Sequence, residues 1–278
     1  MVQAKKLGSR AVLADLTISK WLGTVTDREA SNEMADAKGA ERDRVKVVKK
    51  LFRNLQSITG VLNTMYNEYK HCTTAWEDGR RLLAVDKFEH LTKIERDCSD
   101  KLEKALDEAK DRWGDILNEA KQGLRELNRD DQFPTFDEFR SKFRIKLRFF
   151  PVPEKGHFII ESEKKLMDEM MRNFDEAIKE KQLLATDDVK CRIAKAVKDL
   201  VERLSGENMK FSFSHEVMDS IRSMVEMLPS LNLFDDPEIN EMIEELKVNL
   251  CEVTDRDLRH QGKKRVILGK AKAMLDKM

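Results

Sequence analysis

Helix breakers are scarce in this 278-residue chain, which holds 5 prolines and 11 glycines. Aromatic residues reach only 6%, and the 52 basic residues are matched by 52 acidic ones. The even balance argues against a globally basic nucleic-acid binder and leaves only local patches for such a role. No apolar run approaches the roughly 20 residues that a membrane span needs. The opening MVQAKKLGSRAVLADL has two lysines but no apolar stretch of signal-peptide length. The expectation is a soluble chain that stays in the cytoplasm in which it is made.

Recognisable chemistry is equally scarce. Cys72, Cys98, Cys191 and Cys251 form no CxxC pair and sit in helical patterns, so they read as reduced structural thiols. His71, His90, His157, His215 and His260 make no HExxH and no tight His/Cys spacing. GxSxG, GxxxxGK[ST] and GxGxxG are all missing. No cofactor or metal is expected, and no reaction is named.

What remains is rich in Lys, Glu, Asp, Ala and Leu, the composition of long helices. The fold class expected is mainly α with a small antiparallel sheet. AVLADLTISKW (11–21) alternates as a strand, and Gly23 ends it. Asp27 is a suitable N-cap for a short helix ending near Gly39. From about Glu41 to Trp76 two heptad series coincide: Val48, Leu55, Leu62 and Tyr69, then Leu51, Ile58, Met65 and Cys72. From about Val85 to Leu127 the period becomes eleven, through Ile94, Ala105, Ile116 and Leu127, and through Leu91, Leu102, Trp113 and Leu124. The two runs predict a long antiparallel, coiled-coil-like hairpin. Leu51, Leu55, Ile58, Leu62, Met65, Leu102, Trp113 and Ile116 form its packing or assembly seam, and small Ala105, Ala109 and Ala120 permit close approach.

Between the arms, TTAWEDGRRLL reads as a helix–helix corner, with Trp76 packed inward and Asp78 capping beside Arg80 and Arg81. Asp130, Asp131 and Pro134 end the second arm, and Thr135 with Glu138 makes a capping box. FRIKLRFF then alternates strictly. Phe143, Ile145, Leu147 and Phe149 fall on one face, with Arg144, Lys146 and Arg148 on the other. The turn PVPEKG and a strand near HFIIES complete a β-hairpin, joined by the 11–21 strand in a small sheet. Two helices follow up to Ser205-Gly206, with Thr186 and Asp187 as a cap between them. The expected division is a domain over 1–205 and a helical segment over 206–278.

Charge is segregated in that tail. Eight acids fall within 235–256, and seven bases (Arg259, Lys263, Lys264, Arg265, Lys270, Lys272 and Lys277) within 257–278. The two segments invite pairing within one chain or between neighbours. Two readings of the cationic groups stand. Arg144, Lys146, Arg148, Lys263, Lys264, Arg265 and Lys270 could contact single-stranded nucleic acid, or they form a protein-docking or edge-protecting surface. Base-stacking aromatics on the charged face would favour the first, and only Phe150 shares it.

Three stretches, LADLTISKWLGTVTDREAS, TTAWEDGRRLL and FRIKLRFFPVP with HFII after it, resemble a group of tailed-bacteriophage proteins. The shared landmarks are a W-x-G/D-A-S-like start, a W-x-D-x-x-R-L-L corner and a strand ending in P-V-P, over roughly residues 12–180. The resemblance implies a phage protein acting in the infected host's cytoplasm, and it carries no catalytic residue across. The expected function is a non-enzymatic interaction or assembly protein, a homo-oligomer that binds a phage or host protein away from membranes. The alternative is an accessory single-stranded-DNA-binding protein of phage replication or recombination.

Overall fold

A computed structural model describes residues 7–77, 79–153, 164–205, 212–254, 257–258 and 260–277, the side chains of 164–170 and 212–217 excepted. The elements run β1 (Ala11–Ser19), β2 (Thr24–Asp27), α1 (Arg28–Lys38), β3 (Val47–Lys50) and α2 (Gln56–Cys72). There follow β4 (Thr73–Glu77), β5 (Arg80–Ala84), α3 (Phe88–Asp111), α4 (Trp113–Leu124), α5 (Phe136–Ser141) and β6 (Arg144–Pro151). The rest is helical: α6 (Lys164–Ser205), α7 (Ser212–Leu231), α8 (Pro237–Leu246) and α9 (Gln261–Leu275), with a π-helical turn at Lys247–Cys251. The fold is mainly helical α+β, with one four-stranded sheet ordered β4-β5-β1-β6 and a two-stranded antiparallel ribbon of β2 and β3. Among the described residues no helix is long and apolar enough to cross a membrane.

The chain divides into two compact units. Unit 1 takes Met1–Asp15, Tyr69–Leu91 and Arg148–Met278, and unit 2 takes Leu16–Glu68 and Thr92–Leu147.

Unit 1 is built on α6, whose 42 residues extend about 63 Å at 1.5 Å each. Val189, Ile193, Val197, Leu200 and Leu204 recur at steps of three and four and form one buried stripe. Against it pack Ile221, Val225 and Leu228 of α7, Ile239, Ile243 and Leu246 of α8, and Ile267, Ala271 and Met274 of α9. Each fully buried aliphatic side chain contributes about 1.5–3 kcal/mol, so this stripe anchors the tail helices. A second cluster joins Leu13, Trp76, Leu82 and Ala84 of the sheet to Ala185 of α6 and Leu233. Strand β1 pairs with β5 in antiparallel register, Ala11 opposite Ala84 and Leu13 opposite Leu82.

Unit 2 gathers most of its aromatic rings in one place. The Phe52 ring lies 5.7 Å from Trp21, 5.5 Å from Trp113 and 5.6 Å from Phe139. Leu51, Ile58 and Leu62 meet Leu102, Leu106 and Phe143 in the same core. The aromatics so sparse in composition are thus concentrated as interior side chains.

Several local expectations hold. Asp27 caps α1 by accepting from the Ala30 amide, and Gly39 closes it in the left-handed region at φ 65°. Thr135 and Glu138 form a complete capping box on α5. Strand β6 alternates exposed Arg144, Lys146 and Arg148 with half-buried Ile145, Leu147 and Phe149. Its expected partner near HFIIES lies outside the described residues.

Other expectations need correction. The first long helix begins only at Gln56, so seam residues Leu51 and Leu55 precede it. Residues 47–50 are strand β3, because β-branched Val47 and Val48 pair with Asp27 and Thr26 of β2 and draw the chain into the ribbon. Val48, which fits the heptad numerically, is 55% exposed. The second arm is interrupted at Arg112, which leaves helical geometry (φ −106°, ψ 14°) and splits α3 from α4. The TTAWEDGRRLL corner is a β-hairpin, not a meeting of helices. Gly79 turns it at φ 78°, and β4 and β5 pair with Thr73 opposite Leu83. Thr186 and Asp187 cap nothing, because α6 runs straight through them with Thr186 buried against the core.

Candidate functional site

A groove of about 1050 Å³ opens in unit 2 along the predicted seam. Its floor is Leu51, Phe52, Ile58 and Phe139, all buried. Half-buried Leu55, Ala105, Ala109, Ile116, Ala120 and Leu124 form the walls. Ala105, Ala109 and Ala120 keep parts of the α3 and α4 walls low, and the helix is interrupted between them at Arg112. Exposed Lys50, Arg53 and Arg112 line the rim with Glu108, Asp111 and Glu119. No ion pair engages these six among the described residues. Such a site offers a trough of mixed lining, in which Asn54, Gln56 and Ser57 stand beside the apolar and small side chains, with charges of both signs at its lip. Met65, also assigned to the seam, is fully buried, and Leu62, Leu102, Trp113 and Ile116 belong to the core beneath and beside the groove.

Two buried charge networks were not legible in the sequence. In unit 2, Lys49 and Asp27 are each 3% exposed at the side chain and pair at 2.9 Å. Lys49 Nζ also donates to the Leu127 carbonyl at 2.7 Å. The Lys49 hydrogen bond, with the Ala30 amide, holds the Asp27 carboxyl below the usual carboxylate range despite its burial. In unit 1, Asp188 Oδ2 accepts from Arg81 Nη2 at 2.6 Å, Arg192 Nη2 at 2.8 Å and the Ala75 amide at 2.9 Å. Burial opposes the Asp188 charge, but Arg192 and Arg81 outweigh it and lower its pKa. The Arg81 Nε–H further donates to Thr73 Oγ1 at 2.8 Å. These contacts pin α6 to the β4–β5 hairpin. In both networks the charged groups are held by partners within the fold.

The corner residues are dispersed by strand alternation. Trp76 is buried as expected, and Arg81 points inward to Asp188. Arg80 faces the other way, its guanidinium 4.6 Å above the Phe150 ring. Asp78 lies outside the described residues. Arg80 and Arg81, adjacent on β5, thus face opposite ways.

The cationic residues also separate. Arg148 pairs with Asp15 at 2.8 Å, whereas Arg144 and Lys146 are exposed with no ion-pair partner among the described residues. On α9, Lys263 pairs with Asp257 at 2.6 Å and Lys277 with Glu245. Lys264, Arg265, Lys270 and Lys272 have no such partner among the described residues. Strand β6 ends the sheet order, so its charges also occupy an edge among the described strands.

No family model, curated protein or solved structure matches the chain.

Proposed function

We propose that this chain is a non-enzymatic, phage-encoded interaction protein that self-associates and docks a phage or host protein in the infected cell's cytoplasm. The observation that carries the reading is the groove of unit 2, with apolar and polar side chains in its lining and six rim charges that have no ion pair among the described residues. In this reading α2 and α3 act as the arms of a helical hairpin, α4 extends the second arm, and the alanine wall admits a helix from another chain. Covering the half-buried Leu55, Ile116 and Leu124 side chains supplies association energy in proportion to the apolar area removed from water. The balanced rim charges set orientation and discriminate among partners. The phage assignment rests on the three sequence stretches that resemble tailed-phage proteins.

Light scattering on the purified chain and two groove variants tests the proposal. The wild type should have a mass that is a multiple of 32.3 kDa at micromolar concentration. Ala109→Glu places a charge in the trough, and Arg112→Glu reverses one on the exposed rim. Both should shift the mass toward the monomer with circular dichroism unchanged. A wild-type monomer that also retains no protein from infected cells overturns the reading.

A further inference from the structure

We infer that the outward face of α9 is a docking surface for the phosphodiester backbone of duplex nucleic acid, gripped by Arg265, Lys270 and Lys272. The inference is independent of the groove, which belongs to unit 2, whereas α9 belongs to unit 1.

The argument begins with a charge account of the tail. The obvious neutraliser of the α9 bases is the acidic segment before them, but several of its acids are engaged elsewhere, and Glu252, which lines one cavity with Lys263 and Lys270, forms no ion pair among the described residues. Asp235 pairs with Arg10, Glu238 with Lys190, and Glu244 with Lys247. Among the described residues of 235–254, only Glu245 pairs with a base of the following segment, Lys277. Lys263 is taken up locally by Asp257. Arg265, Lys270 and Lys272 therefore stand exposed with no ion pair among the described residues, and half-buried Lys264 lies beside them likewise unpaired. In a chain of zero net charge, a strip of uncompensated cations on one helix is a local field for an anionic partner.

Helix geometry arranges the strip. Arg265 and Lys272 are seven residues apart on one flank, about 10.5 Å along the axis, and Lys263 and Lys270 repeat the spacing on the other flank. Gly269 and Ala273 lie between the flanks, and a side chain added at Gly269 would meet nothing within 4 Å. Val266 is the exposed apolar side chain of this helix, and exposed Asp276 follows Lys272 by one turn.

The same helix decides between classes of polyanion. An anionic membrane surface asks an amphipathic helix to insert large apolar side chains. Of those on α9, Ile267 and Met274 are buried against the rest of unit 1 and Leu268 and Leu275 are half-buried, which leaves Val266 as its one exposed large apolar side chain. Single-stranded nucleic acid asks for aromatic platforms on which bases stack, and residues 257–278 contain no Phe, Tyr or Trp. What remains is contact with phosphates alone, which positions a protein on a duplex without reading its sequence.

Fluorescence anisotropy of the full chain with a labelled duplex of about 20 base pairs tests this, alongside the single strand of equal length and vesicles of phosphatidylcholine and phosphatidylserine. Three phosphate contacts predict a slope of log K against log salt near −2.7, or about a 40-fold loss between 50 and 200 mM salt. Arg265→Ala, Lys270→Ala and Lys272→Ala should each reduce the slope by about 0.9, and the triple variant should abolish binding. All three sites are exposed, and alanine favours the helix, so circular dichroism should not change. Arg144→Ala with Lys146→Ala on β6 should leave the slope intact. No duplex binding at 25 mM salt overturns the inference. So does tighter binding to the single strand, binding to vesicles alone, or a slope that responds to the β6 variants and not to those of α9.

Discussion

Replacing Lys49 with methionine isolates the cost of one buried charge in unit 2. Both Lys49 and Asp27 are 3% exposed, so water cannot take over when the ammonium is removed. Asp27 would keep the Ala30 amide at 3.1 Å as its near donor, and the Leu127 carbonyl would lose its donor. Breaking a buried pair by deleting one partner costs about 3–5 kcal/mol, because an uncompensated charge stays inside. Adding Asp27→Asn removes that charge while keeping an oxygen for the α1 cap, where Asn serves as well as Asp. The double variant should therefore be more stable than Lys49→Met alone by about 2 kcal/mol or more, the remaining deficit being the unpaired carbonyl at about 1–3 kcal/mol. The pH dependence has a definite sign. Asp27 has a lowered folded pKa, so its stabilisation is complete above the ordinary carboxylate value and is lost as pH falls through the folded one. The deficit of Lys49→Met should accordingly be largest near neutrality and shrink in acid. Urea unfolding at about pH 7 and about pH 3 measures it, read by Trp21 and Trp113 in the unit 2 core. A single variant within about 1 kcal/mol of wild type, or a double variant no better than the single, would refute the reasoning.

The Asp188 lock should behave similarly. Asp188→Asn leaves Arg81 and Arg192 without a counter-charge and should cost about 3 kcal/mol in thermal unfolding, and a loss below about 1 kcal/mol would mean that water solvates both guanidinium groups. Gly60 sits exposed inside α2 with open space where a side chain would project, so Gly60→Ala should stabilise the chain by about 0.5–1 kcal/mol, with no gain counting against a helix there. Maleimide should label exposed Cys191 first and Cys98 slowly, since burial pushes the Cys98 thiol up, and equal rates would contradict its placement in the interior.

What could be read from sequence was local. Asp27, Gly39, Thr135 and Glu138 act within one helical turn of their own positions, and each does what its side chain dictates. The alternation of β6 was equally plain, since a one-sided strand writes its two faces directly into the order of residues. Errors arose where a pattern fitted two structures. Val48 and Leu55 satisfy a heptad, yet the β-branched pair at 47–48 is used by the β2 ribbon. TTAWEDGRRLL contains good helix formers, but its Asp-Gly between Trp76 and Leu82 is a strong hairpin signal that should have outweighed them. Thr186 and Asp187 resemble a cap only until the continuous stripe from Val189 to Leu204 is extended backward to Ala185. The charge locks were invisible because their partners lie far apart in sequence: Lys49 with Asp27 and Leu127, and Asp188 with Arg81. Of the candidate site, Leu51, Leu55, Ile58 and Ile116 from the expected seam line the groove, whereas Leu62, Met65, Leu102 and Trp113 do not, and the helix break at Arg112 is recorded by no periodicity.

Hydrogen exchange at two concentrations tests the central claim most directly. If the unit 2 groove is the association surface, backbone amides in residues 50–58 and 105–124 should exchange more slowly at about 50 μM than at about 0.5 μM, in step with the rise in scattering mass. Unchanged exchange across those segments while the mass rises would place the interface elsewhere and contradict the account.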